Sequence, residues 1–204
     1  MGRIGFQPVG LRARRVSVRR LSASTRAFQM SVAELKKLVT PPKKPSESGS
    51  AKKWTAIEEE LGTKLPTDYH EFVDAYGSGL FANFYRVNNP FSADEYLALV
   101  PASNSWAQML REEKENDEDA VPFPIFPEAG GVLHWANDEN GNTYYWQTVG
   151  LPDKWTVVQR QERGTGFKEH KYSMSGFLTG VLTKKIKALA SGYPNKDSLM
   201  FAQY

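Results

Sequence analysis

The sequence predicts an α+β fold with a mainly antiparallel mixed sheet flanked by helices, in a single domain. Three observations carry this. Helix-period apolar segments fill the first half, and short β-rich runs joined by turn signals fill most of the second. The dipeptide Asn140-Gly141 lies between two aromatic, β-branched runs, the strong short-range signal of a hairpin. A last helix-period segment then closes the chain.

The elements follow in order. "MSVAELKKLV" places Val32, Leu35 and Val39 at helical spacing, a short helix over 31–39. "PPKKPSESGS" (41–50) is rich in Pro and Ser without apolar anchors, the composition of a flexible linker, so the folded domain is expected to begin near Ala51. "AKKWTAIEEELG" sets Trp54, Ile57 and Leu61 on one helical face with Gly62 as its stop. In "LPTDYHEFVDAYGSG", Thr67 is the expected N-cap, Asp68 suits the first turn, and Tyr69, Phe72, Val73 and Tyr76 form the apolar stripe before Gly77.

"LFANFYRV" (80–87) reads as one aromatic strand. "SNSWAQMLREEKENDED" (103–119) reads as a third main helix with Trp106, Met109 and Leu110 inward and an acidic end. Three prolines keep 121–131 out of any helix, so it approaches the next strand extended. "VLHWA" and "TYYWQTV" flank the hairpin, "LPDKW" is a turn, and "WTVVQRQE" and "FKEHKYSM" supply further strands around a "GTG" turn. Ser173 or Ser175 caps a final helix carrying Phe177, Leu178, Val181, Leu182, Ile186 and Leu189; residues 191–204 read as a tail.

Charge is unevenly spread. The chain carries +3 overall, but residues 1–29 hold seven arginines and no acid. Without them 19 basic face 23 acidic residues, a net of −4. An acidic body lacks the Lys and Arg that give affinity for phosphates, so direct nucleic-acid binding is not expected, whereas a basic protein suits it. Three readings of 1–29 stand: sequence upstream of a start at Met30, a mitochondrial transit peptide, or a basic arm. No stretch is long and apolar enough to span a membrane, and the absence of cysteine excludes disulfides, thiolate metal sites and cysteine nucleophiles. A reducing, cytoplasmic setting is expected.

Catalytic and metal patterns are weak. Asp138, Asn140 and Asn142 alternate as in a calcium loop, but Thr143 stands where Gly is needed and Val149 where the bidentate Glu belongs. His70, His134 and His170 have no zinc spacing. Ser78, between Gly77 and Gly79, has a helix-end context rather than a nucleophile elbow. Glu128 and Asp138 are carboxylates near aromatics, as a glycosidase would want, though aromatics at this density more often fill a core. No enzyme activity, cofactor or metal is expected. The surface candidate is a run of six acids in eight residues, Glu112, Glu113, Glu115, Asp117, Glu118 and Asp119, which Asp94 and Glu95 would extend if the fold brings them to one face. A solvated helix end is the plain alternative. Tyr144, Trp146 and Trp155 would be stacking platforms if the chain were a carbohydrate-binding module.

Taken in order, "WTAIEEELGTKLPTDYHEF" (54–72), "YGSG" (76–79), "FPEAGG" (126–131) and "WANDENGNTYYWQTVGLPDKWTVV" (135–158) resemble the SUKH superfamily. These are bacterial immunity proteins related to a yeast cell-wall assembly regulator. The resemblance runs from about 51 to 190. It implies an α+β fold and non-enzymatic work, binding a partner protein, in bacterial members typically a polymorphic toxin and often a nuclease. A regulatory scaffold like the eukaryotic branch is the alternative. It also implies that Trp54, Tyr69, Phe72 and Trp146 are core and Gly62, Gly77 and Gly141 shape turns, so the recognisable residues need not be the contact residues.

Overall fold

The computed structural model describes residues 31–162, 166–187 and 199–204. Five α-helices and seven strands are present among them: α1 Val32–Leu38, α2 Ala51–Leu61, α3 Thr67–Tyr76, β1 Gly79–Phe81, β2 Tyr85–Val87, α4 Leu99–Asn116, β3 Val132–Asp138, β4 Thr143–Gln147, β5 Thr156–Arg160, β6 Phe167–His170, α5 Met174–Leu182 and β7 Phe201–Gln203. The strands form one sheet in the order β6-β5-β4-β3-β2-β1-β7, every neighbour antiparallel. This is the predicted α+β architecture. The parallel component is confined to two isolated bridges, Ser46 to Gly77 and Ile125 to Val132.

Strand periodicity of two sends alternate residues to opposite faces. Tyr144, Trp146 and Val157 enter a large core with α1, α2, α3 and α5. Tyr145 and Val158 enter a second, smaller core beneath α4, with Leu110, Val121, Phe123, Ile125 and Val132. The central strands are therefore covered on both sides, which explains why "TYYW" is buried throughout. A bulge between His134 and Ala136 puts Trp135 and Ala136 into the same core.

The hairpin that joins β3 to β4 is organised by one carboxylate. Gly141 N donates to Asp138 O at 3.0 Å and Asp138 N to Asn142 O at 2.9 Å. Only Gly141 has positive φ, +81°, so the turn is a three-residue loop ending in a left-handed glycine rather than a two-residue turn with positive φ at both Asn140 and Gly141. The Asp138 side chain is buried. Its Oδ1 accepts from Asn140 N (2.9 Å) and Asn142 N (3.0 Å), its Oδ2 from Asn142 Nδ2 (2.8 Å) and Tyr144 OH (2.7 Å). Both Asp138 oxygens of the calcium-like pattern are thus spent on the turn and Tyr144, and Asn142 Oδ1 accepts from Glu162 N at 3.2 Å. The network continues inward: Gln159 Nε2 donates to Tyr144 OH (3.3 Å), and Gln159 Oε1 lies 3.1 Å from His170 Nε2.

Several expectations change. "LFANFYRV" is not one strand but the hairpin β1–β2, turning at Ala82 and Asn83, both with positive φ. Thr67 is the first residue of α3, not its cap; its N–H is held at 2.7 Å by Asp153, 86 residues away. The third main helix begins at Leu99 and Met109 is only half-buried. α5 ends at Leu182, and Ile186 folds back against Gly180; Leu189 lies outside the described residues, as do the 1–29 leader and Gly164 and Thr165.

The largest difference is at the N-terminal side. Val32, Leu35 and Val39 are buried in the main core, where α1 packs on α5 and α3. Tyr76 OH donates to Val39 O at 2.7 Å. Within the stretch expected to be a free linker, Ser46 bridges Gly77 and the Glu47 carboxylate accepts from Ser78 Oγ and, at 2.8 Å, from Ala93 N. Residues 31–50 therefore pack onto the domain expected to begin near Ala51 instead of hanging free of it. In place of apolar anchors, a backbone bridge and one carboxylate hold the segment. The tail likewise supplies β7.

Replacing Asp138 by Ala removes four hydrogen bonds from buried groups and is expected to lower stability by about 3 kcal/mol. Asp138→Asn, which keeps an acceptor, should cost less. Urea titration of both variants checks this; an unchanged midpoint for Asp138→Ala would remove the hairpin clamp from the account.

Candidate functional site

α4 lies across the sheet face that carries the smaller core, docked by Leu110 and by Trp106, whose ring stacks on His134 at 5.1 Å. This docking leaves the helix end projecting. Glu112, Glu115, Asp117, Glu118 and Asp119 are exposed there. Glu113 is half-buried and pairs with Arg160 at 2.9 Å, tying the helix to β5. Asp117 closes α4 and its carboxylate caps the following 3-10 turn by accepting from Asp119 N at 3.1 Å. The two bases of the stretch fold back on the chain: Arg111 donates to Phe126 O (2.8 Å) and Lys114 to Phe123 O (3.2 Å). Five carboxylates thus collect at the C-terminal end of a helix, where the macrodipole is negative and disfavours them.

Asp94 and Glu95 do not join this group. They precede α4, whose 18 residues run about 27 Å from end to end, so the two acidic groups belong to opposite ends of the helix. Asp94 belongs instead to a second surface, a cavity of about 540 Å³ lined by Glu47, Ser78, Arg86, Asp94, Tyr96 and Tyr204 among others. The loop above it is tightly hydrogen-bonded. Asp94 N donates to Ser92 Oγ, Tyr96 N to Asp94 Oδ1 and Leu97 N to Asp94 O. That loop presents Tyr96 with 80% of its surface exposed. Arg86 is engaged by Glu139 (2.9 Å) and Tyr204 OH (3.2 Å). Burial works to raise the Glu47 carboxyl, but hydrogen bonds from Ser78, Ala93 and Ser92 outweigh it and hold it below the usual range. Glu47, Tyr96 and Tyr204 were not legible as neighbours, since they come from the expected linker, a loop and the tail.

A smaller cavity, about 250 Å³, lies where α3 and α5 begin, against Trp146 and Trp155. Each helix start receives a carboxylate from elsewhere: Asp153 on Thr67, and Asp68 on Ser175 through both N (2.9 Å) and Oγ (2.8 Å), the latter added to the expected local cap of α5, Ser173, which accepts from Gly176 N at 3.3 Å. These acids are structural clasps between elements. Tyr144, Trp146 and Trp155 are 1%, 0% and 3% exposed, which removes them as sugar-stacking platforms.

The histidines are dispersed. His70 stacks on Trp54 at 3.8 Å and lies 3.2 Å from Glu58 Oε1. His134 faces Trp106 and Asn88, and His170 the Gln159 amide. Among the described residues no group of three or more His, Asp or Glu is placed to hold a metal ion, and no helix is long and apolar enough to cross a membrane. Ser78 Oγ contacts Glu47 and Asn89 at the end of α3, a structural position.

The fold and surfaces define an α+β domain of helices on an antiparallel sheet, whose buried signature residues are architectural. A family model described as SMI1-KNR4 cell-wall, SUKH_6, matches residues 51–178, well over half of the chain, and the chain belongs to that family. No curated protein matches it. α1, the clasp around Glu47 and β7 all lie outside the matched span.

The histidines give the domain a pH dependence with a defined sign. Burial lowers His134 to about 3 and His170 to about 4. An unfolded histidine titrates near ~6.5, so below that the unfolded chain binds protons the folded chain excludes. Their contribution is intact above about pH 6.5 and falls as pH drops toward 4, by up to ~1.4 kcal/mol per unit for each ring. Denaturant titrations at pH 7, 6 and 5 should show this slope, reduced in His134→Gln/His170→Gln. A double variant that keeps the full slope would assign it elsewhere.

Proposed function

We propose that this protein is an immunity protein: it binds a polymorphic toxin, with a nuclease as the best-fitting class, and neutralises it by occluding the active site. It works stoichiometrically in the cytoplasm of the producing cell, without catalysis or cofactor. The observation that carries this reading is the exposed end of α4. Five carboxylates stand there against their own helix dipole while Arg111 and Lys114 are turned onto carbonyls of the 123–126 segment. A nuclease binds an anion, so its site is basic. An acidic blocker gains both a steering field and complementary contacts. Membership of the SMI1-KNR4 family supports the same reading.

The family description, cell-wall, favours a second reading, a regulatory scaffold. It predicts binding to cell-wall assembly proteins and no protection from any toxin.

The test takes the proteins encoded beside this gene, one of which should be toxic when expressed alone. Co-expression should rescue cells, and the purified proteins should form a tight complex. Glu112→Lys/Glu115→Lys/Glu118→Lys should slow association by about 10- to 100-fold at low salt. The difference should shrink as ionic strength rises, with thermal stability little changed. Absence of rescue, or an unaltered association rate in the triple variant, would sink the proposal.

A further inference from the structure

The edge of the family domain at β1 is sealed by segments the family match does not include. From the N-terminal side, Ser46 bridges Gly77 and Glu47 holds Ser78. From the C-terminal side, β7 pairs with β1 in the register Gly79 to Gln203, Leu80 to Ala202 and Phe81 to Phe201. Asn83 N donates to Met200 O (3.0 Å) and Tyr204 N to Ser78 O (3.3 Å), extending the pairing beyond the three ladder positions.

The contact has a side-chain component as well as a backbone one. Phe201 packs on Tyr76, ring centroids 5.3 Å apart, and belongs to the rim of the main core. Its ring lies over Gly79, where a Cβ would fall 2.3 Å from the ring tip and 2.5 Å from the Ala202 carbonyl oxygen. Gly79 has an ordinary strand conformation, so its lack of a side chain serves the close approach rather than a turn. Backbone pairing with one pocketed side chain is how an extended peptide adds to a sheet edge. The docked strand is short and its flanks are open: Met200 is 60% and Tyr204 56% exposed.

We infer that the β1 edge is a strand-binding groove, selective for an aromatic side chain over Gly79, and that the segment Leu199–Tyr204 is its reversible intramolecular occupant. An extended segment of another protein that offers an aromatic residue at this place competes with it. Because Tyr204 lines the cavity beneath Tyr96 and meets Arg86, the docked segment also builds one wall of that cavity. Exchange at the groove therefore alters the Tyr96 surface.

The experiment uses a chain ending at Ser198 and a fluorescent peptide of residues 199–204. The peptide should bind saturably, its Phe201→Ala version about tenfold or more weakly, and a shortened chain carrying Gly79→Ala not at all. No binding to a folded shortened chain, or equal binding of both peptides, would overturn the inference. Should the shortened chain not fold, hydrogen exchange on the full-length protein decides. The Ala202 and Tyr204 amides should exchange at least about 100-fold faster than those of Tyr145 and Val158, as expected of a locally opening edge. Equal protection would make the segment an integral strand and end the proposal.

Discussion

The Asp138 carboxylate is the constraint on which the sheet depends. A buried carboxylate is tolerable only when its lone pairs are occupied, and here two backbone N–H groups, an amide and a phenol occupy them. By closing the turn it fixes the register of β3 against β4, and a shift of one residue would exchange the two faces of a strand buried on both. Trp146 and Tyr144 would then leave the core shared with α3 and α5, and Tyr145 would leave the one beneath α4. Burial drives the Tyr144 hydroxyl far above its ordinary range, with Tyr85 and Asp138 adding to the effect, so it stays protonated and donates.

The same economy recurs around the molecule. Carboxylates cap helix starts and close loops, three of them from far along the chain, Asp153 on α3, Asp68 on α5 and Glu47 on Ala93 N, and one nearby, Glu58 on Leu65 N. On α3 and at Ala93 the contact stands where no local side-chain cap or apolar anchor does; on α5 it adds to the Ser173 cap. The acids of the body therefore divide into two populations. One is consumed in holding elements together. The other, at the end of α4, stands in solvent where the helix dipole opposes it and makes only local contacts, Asp117 capping the next turn and Glu112 accepting from Gln108.

Two surfaces at opposite ends of α4 follow from this division, one purely acidic and one built around Tyr96 and Tyr204. Only the second uses parts of the chain beyond the family span. The segments that cover the β1 edge leave the aromatic core within the family span.

By itself the sequence determined the elements whose signals are local. The α2 and α3 stripes, Gly62 as a helix stop, the hairpin around Gly141, the antiparallel α+β class and the acidic end of α4 all rest on period, turn chemistry or charge within a few residues. The family motif, too, was readable from "WTAIEEELGTKLPTDYHEF" and the hairpin run. Only the tertiary structure decided what depends on residues far apart. It docked the 31–50 segment through Glu47, turned Ala82-Asn83 into a hairpin, gave Thr67 its cap from Asp153, added the tail as β7 beside Gly79, and set Asp94 apart from Glu112. The reason is physical: a turn or a stripe is fixed by neighbours in the chain, whereas a long-range hydrogen bond, a sheet edge or a surface patch exists only once the folded backbone has chosen which distant groups meet.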